Sequence, residues 1–201
     1  MRFPLFLLII FFFASCNLPL SNDASNKSLA KEIAEKALFD RVLIDSTAEL
    51  QIYASMTKTD ELNDEASVQF ADNFKELYLI VIKETEENVT NFLTLDGETD
   101  TASFLRRYAD SMARPLIEGQ PKHEYSIKFT GKNNGMTMLR SDFFARQENI
   151  DVYYQMAVHK SADYYYTVIT WTLKSRKELY EKVMETMCRS VTEPDHVESS
   201  Q

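Results

Sequence analysis

The chain has 201 residues, with 22 basic against 31 acidic side chains and a net charge of −9. That length suits one domain, and so acidic a balance argues against a nucleic-acid partner and against docking onto anionic headgroups by charge. Only two cysteines are present, too few for a disulfide framework, whereas ten Tyr, thirteen Phe and one Trp can supply a substantial core.

The first segment reads as a leader. Arg2 gives one positive charge, Phe3 to Phe13 is mostly apolar, and Phe13-Ala14-Ser15-Cys16 closes the run. Thirteen residues between Arg2 and Cys16 are too few to span the roughly 30 Å of bilayer hydrocarbon. A basic start, a short apolar stretch and small residues before a cut describe a secretory signal. The tetrapeptide resembles the lipobox of bacterial lipoproteins: apolar, small, small, cysteine. The resemblance implies that residues 1–15 are removed and that Cys16 carries the lipid as the first residue of the mature chain, whose net charge becomes −10 once Arg2 is lost. An ordinary signal with a coincidental cysteine is the alternative. Residues 16–27, polar after Cys16 and without periodicity, read as a tether; eleven flexible residues reach about 15–20 Å.

Residues 28–191 read as one domain. Ser28 to about Phe39 is predicted helical, with Leu29, Ala30, Ile33, Ala34, Ala37 and Leu38 on one side and Lys31–Glu35 and Glu32–Lys36 pairs on the other. Val42-Leu43-Ile44 is a short apolar run without assignment. Strands are predicted over Glu49–Ala54 and Ala66–Phe70, with an irregular polar stretch between them. Asp72-Asn73 supplies turn chemistry, and Leu77 to Ile82 is apolar at every position, the mark of a strand covered on both faces. Glu84 to Asp100 reads as acidic and turn-rich. A helix follows from Asp100 or Thr101 to about Arg114, with Phe104, Leu105, Tyr108 and Met112 inward and Pro115 stopping it or beginning its last irregular turn.

The period then changes to two. Tyr125–Thr130, a turn over Gly131–Gly135, Met136–Arg146, Ile150–His159 and Asp163–Leu173 read as an antiparallel meander. Ser175 to Glu178 fits a capping box opening a last helix, whose inward stripe is Leu179, Tyr180, Val183, Met184, Met187, Cys188 and Val191. Residues 192–201 read as a frayed tail.

The expected fold class is therefore α+β, an antiparallel sheet flanked by helices on both faces. The segments Leu62 to Phe70, Lys75 to Ile82, Asp151-Val152-Tyr153-Tyr154 and Tyr165 to Thr172 resemble, in strand order and aromatic placement, the PsbP-like α/β/α sandwich, including exported lipoproteins of the DcrB-like kind. The resemblance spans about Glu49 to Val191. It implies a binding or accessory module of the envelope, and it carries over no functional residue, because the family shares a fold more than a site.

Chemistry is sparse in the sequence. His123, His159 and His196 have no second ligand at metal spacing, and His159, next to Lys160-Ser161-Ala162, reads as an exposed hairpin-tip residue. No phosphate-cradling glycine loop or nucleophile elbow is visible. Asp96 to Asp100 could offer oxygens to calcium, or be a solvated loop. Asn88-Val89-Thr90 matches a glycosylation sequon, which a bacterial source makes irrelevant. Cys188 reads as a buried free thiol. No catalytic residue, metal or cofactor is expected. Tyr153 and Gln155 on one strand, with Tyr164 and Tyr166 on the next, form a candidate partner-binding surface if no helix covers them; the other reading is sheet-to-helix packing. The sequence thus points to a non-catalytic module, held to the membrane by the lipid on Cys16, with an unidentified protein partner in the envelope. The competing reading is an exported hydrolase whose site is not legible.

Overall fold

The computed structural model describes residues 23–94, 104–118, 125–147 and 149–194. Cys16, His123, His196 and the Asp96–Asp100 segment lie outside them. Helix α1 (Asp23–Lys36) begins five residues before the expected Ser28, taking in the end of the segment read as a tether. Its Lys31–Glu35 and Glu32–Lys36 pairs form, at 3.7 and 2.8 Å. The unassigned run Val42-Leu43-Ile44 belongs to β1 (Phe39–Ile44), which pairs antiparallel with β2 (Ala48–Tyr53) in a hairpin of its own. Asp45 and Ser46 turn it with positive φ of 45° and 61°.

β3 (Thr57–Lys58), inside the stretch expected to be irregular, pairs with β4 (Val68–Asp72), and β4 with β5 (Leu77–Thr85). The acidic stretch after β5 is not all turn: α2 spans Glu86–Thr94. The Thr85 hydroxyl accepts the Asn88 N–H at 3.2 Å, Glu86 and Glu87 favour the positive end of the helix dipole, and Val89 and Leu93, four apart, are buried. Helix α3 (Phe104–Ile117) does not stop before Pro115 but takes it into its last turn, the second of the two expectations. Pro115 sits in the last turn, where Leu116 is buried and the Glu118 N–H bonds the Arg114 carbonyl at 2.8 Å, so burial outweighs the missing donor.

The meander follows as β6 (Ser126–Asn133), β7 (Met136–Gln147), β8 (Ile150–Lys160) and β9 (Tyr164–Leu173). The first turn is tighter than Gly131–Gly135: only Asn134 and Gly135 make it, with φ of 50° and 79°, the signature of a two-residue type I′ hairpin. A short 3₁₀ turn, Lys174–Arg176, leads into α4 (Lys177–Arg189). The expected capping box is absent. Ser175 lies within the 3₁₀ turn, Arg176 occupies the N-cap, and no side chain caps the helix.

All neighbours in the seven-stranded sheet are antiparallel, in the order β3-β4-β5-β9-β8-β7-β6. Its two faces build two cores. Leu77, Leu79 and Val81 pack with the α4 stripe (Tyr180, Val183, Met184, Met187, Cys188) and with Ile44, Leu50 and Ile52 of the β1–β2 hairpin. Ile80 and Ile82 pack on the other side with Val89 and Leu93 of α2 and Phe104, Tyr108 and Leu116 of α3. The unbroken apolar run of β5 is explained by this double cover.

Candidate functional site

The strands bring the four expected surface residues onto one face. Tyr153 and Gln155 alternate along β8, Tyr164 and Tyr166 along β9, and the register pairs Gln155 with Thr170 and His159 with Tyr166. That face is not free, however. It lies in the core that α4 shares with the sheet. Tyr153 is 1% exposed, and Gln155 and Tyr166 are wholly buried; only Tyr164 keeps partial exposure. The expected docking surface is therefore corrected to sheet-to-helix packing, because covering large aromatic area with the apolar stripe of α4 is strongly favourable.

Beneath α4 these residues join a polar seam that the sequence did not show. Gln155 Nε2 donates to the Tyr153 hydroxyl and to the Glu181 carbonyl, both at 3.0 Å. The single hydroxyl proton of Tyr153 faces two carboxylates, Asp142 Oδ2 at 3.1 Å and Glu181 Oε1 at 3.2 Å. Arg140 pairs with Glu185 at 2.7 Å and lies 3.8 Å from Asp142. Burial pushes the Asp142 carboxyl above its ordinary range, against the pull of Arg140 and of the Tyr153 hydroxyl. The same burial pushes the Tyr153 hydroxyl up. Lys177 sits over the rings of Tyr153 and Phe144, at 5.0 and 5.6 Å.

His159 is the second correction. It is wholly buried, not exposed at a hairpin tip, because β8 continues through Lys160 and Tyr166 and Met138 flank it in register. Its Nε2 lies 2.7 Å from the Cys188 carbonyl near the end of α4, and burial lowers its pKa to about 4, so it is a neutral ring donating to that carbonyl. Cys188 is buried as expected, and burial raises its thiol to about 12. Its sulfur lies 3.5 Å from the Thr170 hydroxyl, a contact that pulls the thiol the other way, so burial is what keeps it protonated. The seam fastens α4 to the sheet by hydrogen bonds from its second turn to its penultimate residue.

An open groove lies elsewhere, at the end of the sheet where β6–β7 and β8–β9 turn. It encloses about 490 Å³, and Lys132, Asn134, Thr137, Lys160, Ser161 and Glu193 are among its lining. The expected meander puts both turns at one end of the sheet, but nothing in the sequence showed that Glu193, read as tail, would close the groove. Among the described residues no three His, Cys, Asp or Glu side chains stand close enough to hold a metal ion. No helix among those residues is long and apolar enough to cross a membrane.

No family model matches the chain, and neither does any curated protein. Solved structures do. The cyanobacterial PsbP protein CyanoP of Synechocystis matches with TM-score 0.53 at 14% identity, over 79% of this chain and 94% of that one. LpqN of Mycobacterium tuberculosis, described as involved in cell envelope biogenesis, matches with TM-score 0.46 at 14% identity, over 82% of this chain and 96% of that one. A Pseudomonas aeruginosa protein of unknown function gives TM-score 0.40 at 9% identity, over 73% and 91%. CyanoP carries the conclusion about fold: the chain has a PsbP-like α+β sandwich, in agreement with the strand order and aromatic placement of its sequence.

Proposed function

We propose that this chain is a lipid-anchored accessory module of the bacterial envelope, acting by binding and not by catalysis. The observation that carries the reading is the sequence Phe13-Ala14-Ser15-Cys16 at the close of a short apolar leader, in front of a PsbP-like domain. The thiol of Cys16 would take the lipid, and two or more acyl chains would anchor the chain stably where one would not. Asp142, whose carboxyl burial raises, and His159, which burial keeps neutral, are shut beneath α4, which fits a structural role.

The anchor is tested by metabolic labelling with a radioactive or clickable fatty acid. The wild-type chain takes up label and partitions with membranes; Cys16→Ala loses both. Label retained in Cys16→Ala would refute the assignment. The accessory role is tested by detergent extraction of the native protein and cross-linking: a stoichiometric partner supports it, and repeated recovery of the chain alone counts against it.

A further inference from the structure

We propose that the groove at the turn end of the sheet binds a zwitterionic phospholipid headgroup, a phosphate ester carrying a primary amine. The proposal rests on the lipid-anchor reading and adds an orientation and a ligand to it.

The groove is organised by strand register. Lys132 on β6 stands opposite Thr137 on β7, and Thr137 opposite Lys160 on β8. The three side chains therefore form one row on one face, within two residues of the turns. Strand spacing sets Lys132 and Lys160 about 10 Å apart. The Lys132 ammonium, on a flexible stem, can reach from that distance an anion seated at the Thr137 hydroxyl. Lys160 is held in place by Glu86 at 2.6 Å and lies over the Tyr165 ring at 5.5 Å. Lys132 is exposed and makes no ion pair among the described residues. Across the groove stands Glu193, whose carboxylate accepts from the Tyr166 hydroxyl at 3.0 Å and is thereby fixed to the sheet. Lys132 and the Thr137 hydroxyl, beside a Lys160 already paired with Glu86, suit a phosphate on the Tyr165 face, and Glu193, bonded to Tyr166 on the other face, suits an amine reached round the end of the sheet. An anionic headgroup would meet the carboxylate without compensation, on a chain that is acidic throughout.

The bilayer is named as the source because of where the chain emerges. Phe39 packs on Tyr53, and β1 runs from there to the Asp45-Ser46 turn, where Asp45 pairs with Lys83 at 3.3 Å. Lys83 is in register with Tyr166, one row from Lys160. Helix α1, joined to β1 through two residues, packs along α4. Its length of about 21 Å matches the roughly 20 Å of β1, so it returns its first residue to the end that carries the groove. Only six residues separate Cys16 from Asp23, a reach of about 25 Å at most. A lipid on Cys16 holds this end of the domain against the headgroups.

The test uses the acylated full chain in detergent micelles, titrated with glycerophosphoethanolamine and, separately, with inorganic phosphate, followed by ³¹P line broadening, with acylation of each sample read by mass spectrometry. Glycerophosphoethanolamine is expected to bind saturably and more tightly than phosphate. Lys132→Ala should weaken it about tenfold, the scale of one charge-assisted hydrogen bond; Lys132→Arg should retain it, and Glu193→Gln should erase the preference over phosphate. Equal binding of phosphate, no saturable binding, or binding indifferent to Lys132→Ala would overturn the proposal while leaving an acylated Cys16 intact. Binding retained on a chain that proves unacylated would overturn the anchor, and with it the bilayer as the source.

Discussion

His159 shows how a single residue can be misplaced by its neighbours in sequence. The polar tip Lys160-Ser161-Ala162 suggests an exposed position, but the strand runs one residue further and the imidazole ends up wholly buried, bonded to the Cys188 carbonyl. Its pKa falls to about 4 from the ordinary 6.5. Between those values the unfolded chain binds a proton that the folded chain refuses. Stability is therefore present in full above pH 6.5 and falls as the pH drops toward 4, by about 3 kcal/mol across the window. Asp142, with its carboxyl raised, acts in the opposite direction. The comparison that isolates the histidine is urea unfolding of wild type and His159→Gln at neutral pH and near pH 4.5. The variant should lose markedly less stability over that interval; equal slopes would mean that His159 is not held neutral. The sequence did contain the clue that this face is occupied, since Asp151, Tyr153, Gln155, Ala157 and His159 alternate along it. What it lacked was the partner, a helix 29 residues away in sequence.

Among the elements, the reading succeeded where one period ran long enough to be unambiguous. Strands β7 to β9 and the buried stripe of α4 match their expected positions within a few residues. Elements shorter than that, or held by one specific contact, were missed. β1 has only Ile44 fully buried and leaves Leu43 60% exposed, so no clean alternation marks it. α2 depends on the Thr85 hydroxyl and two buried residues within an acidic stretch. The ends of α4 invert the expectation: its start has no side-chain cap, and its finish is tied down from a distant turn. Asn134 Nδ2 donates to the Arg189 carbonyl at 3.1 Å and the Val191 carbonyl at 2.9 Å, while Asn133 Nδ2 reaches the same Arg189 carbonyl at 2.8 Å. Asn134→Ala removes two of these bonds and places a β-carbon with no local hydrogen bond at φ 50°. It should cost about 1–3 kcal/mol. Ser175→Ala, at the supposed cap, should stay within about 0.5 kcal/mol. Equilibrium denaturation of the two variants decides the matter; a larger loss for Ser175→Ala would restore the capping box.

At the scale of the whole molecule, the helices contribute unequally to the sandwich. Helices α2, α3 and α4 each send fully buried side chains into one of the two cores, whereas α1 contributes only the partly buried Ile33, with Ala37 just beyond its end. Its charged pairs are exposed, and such pairs add little to stability. The two cores close without it: Leu79 and Val81 meet α4 and the β1–β2 hairpin on one side, and Ile80 meets α2 and α3 on the other. Helix α1 is thus an arm laid on the domain, between the proposed anchor and the sheet. Local opening of an element with so few buried contacts needs far less free energy than global unfolding. Limited trypsin digestion of the native chain should therefore cut first within α1, at Lys31 or Lys36, and leave a product that begins after one of them and still unfolds cooperatively. Leu79→Ala, in a fully buried position shared by the sheet and α4, should instead cost about 2–5 kcal/mol and speed digestion of the entire domain. Loss of the domain at the same rate as the cut in α1 would show that the arm belongs to the cooperative unit, and would move the hinge between anchor and domain to the segment before Asp23.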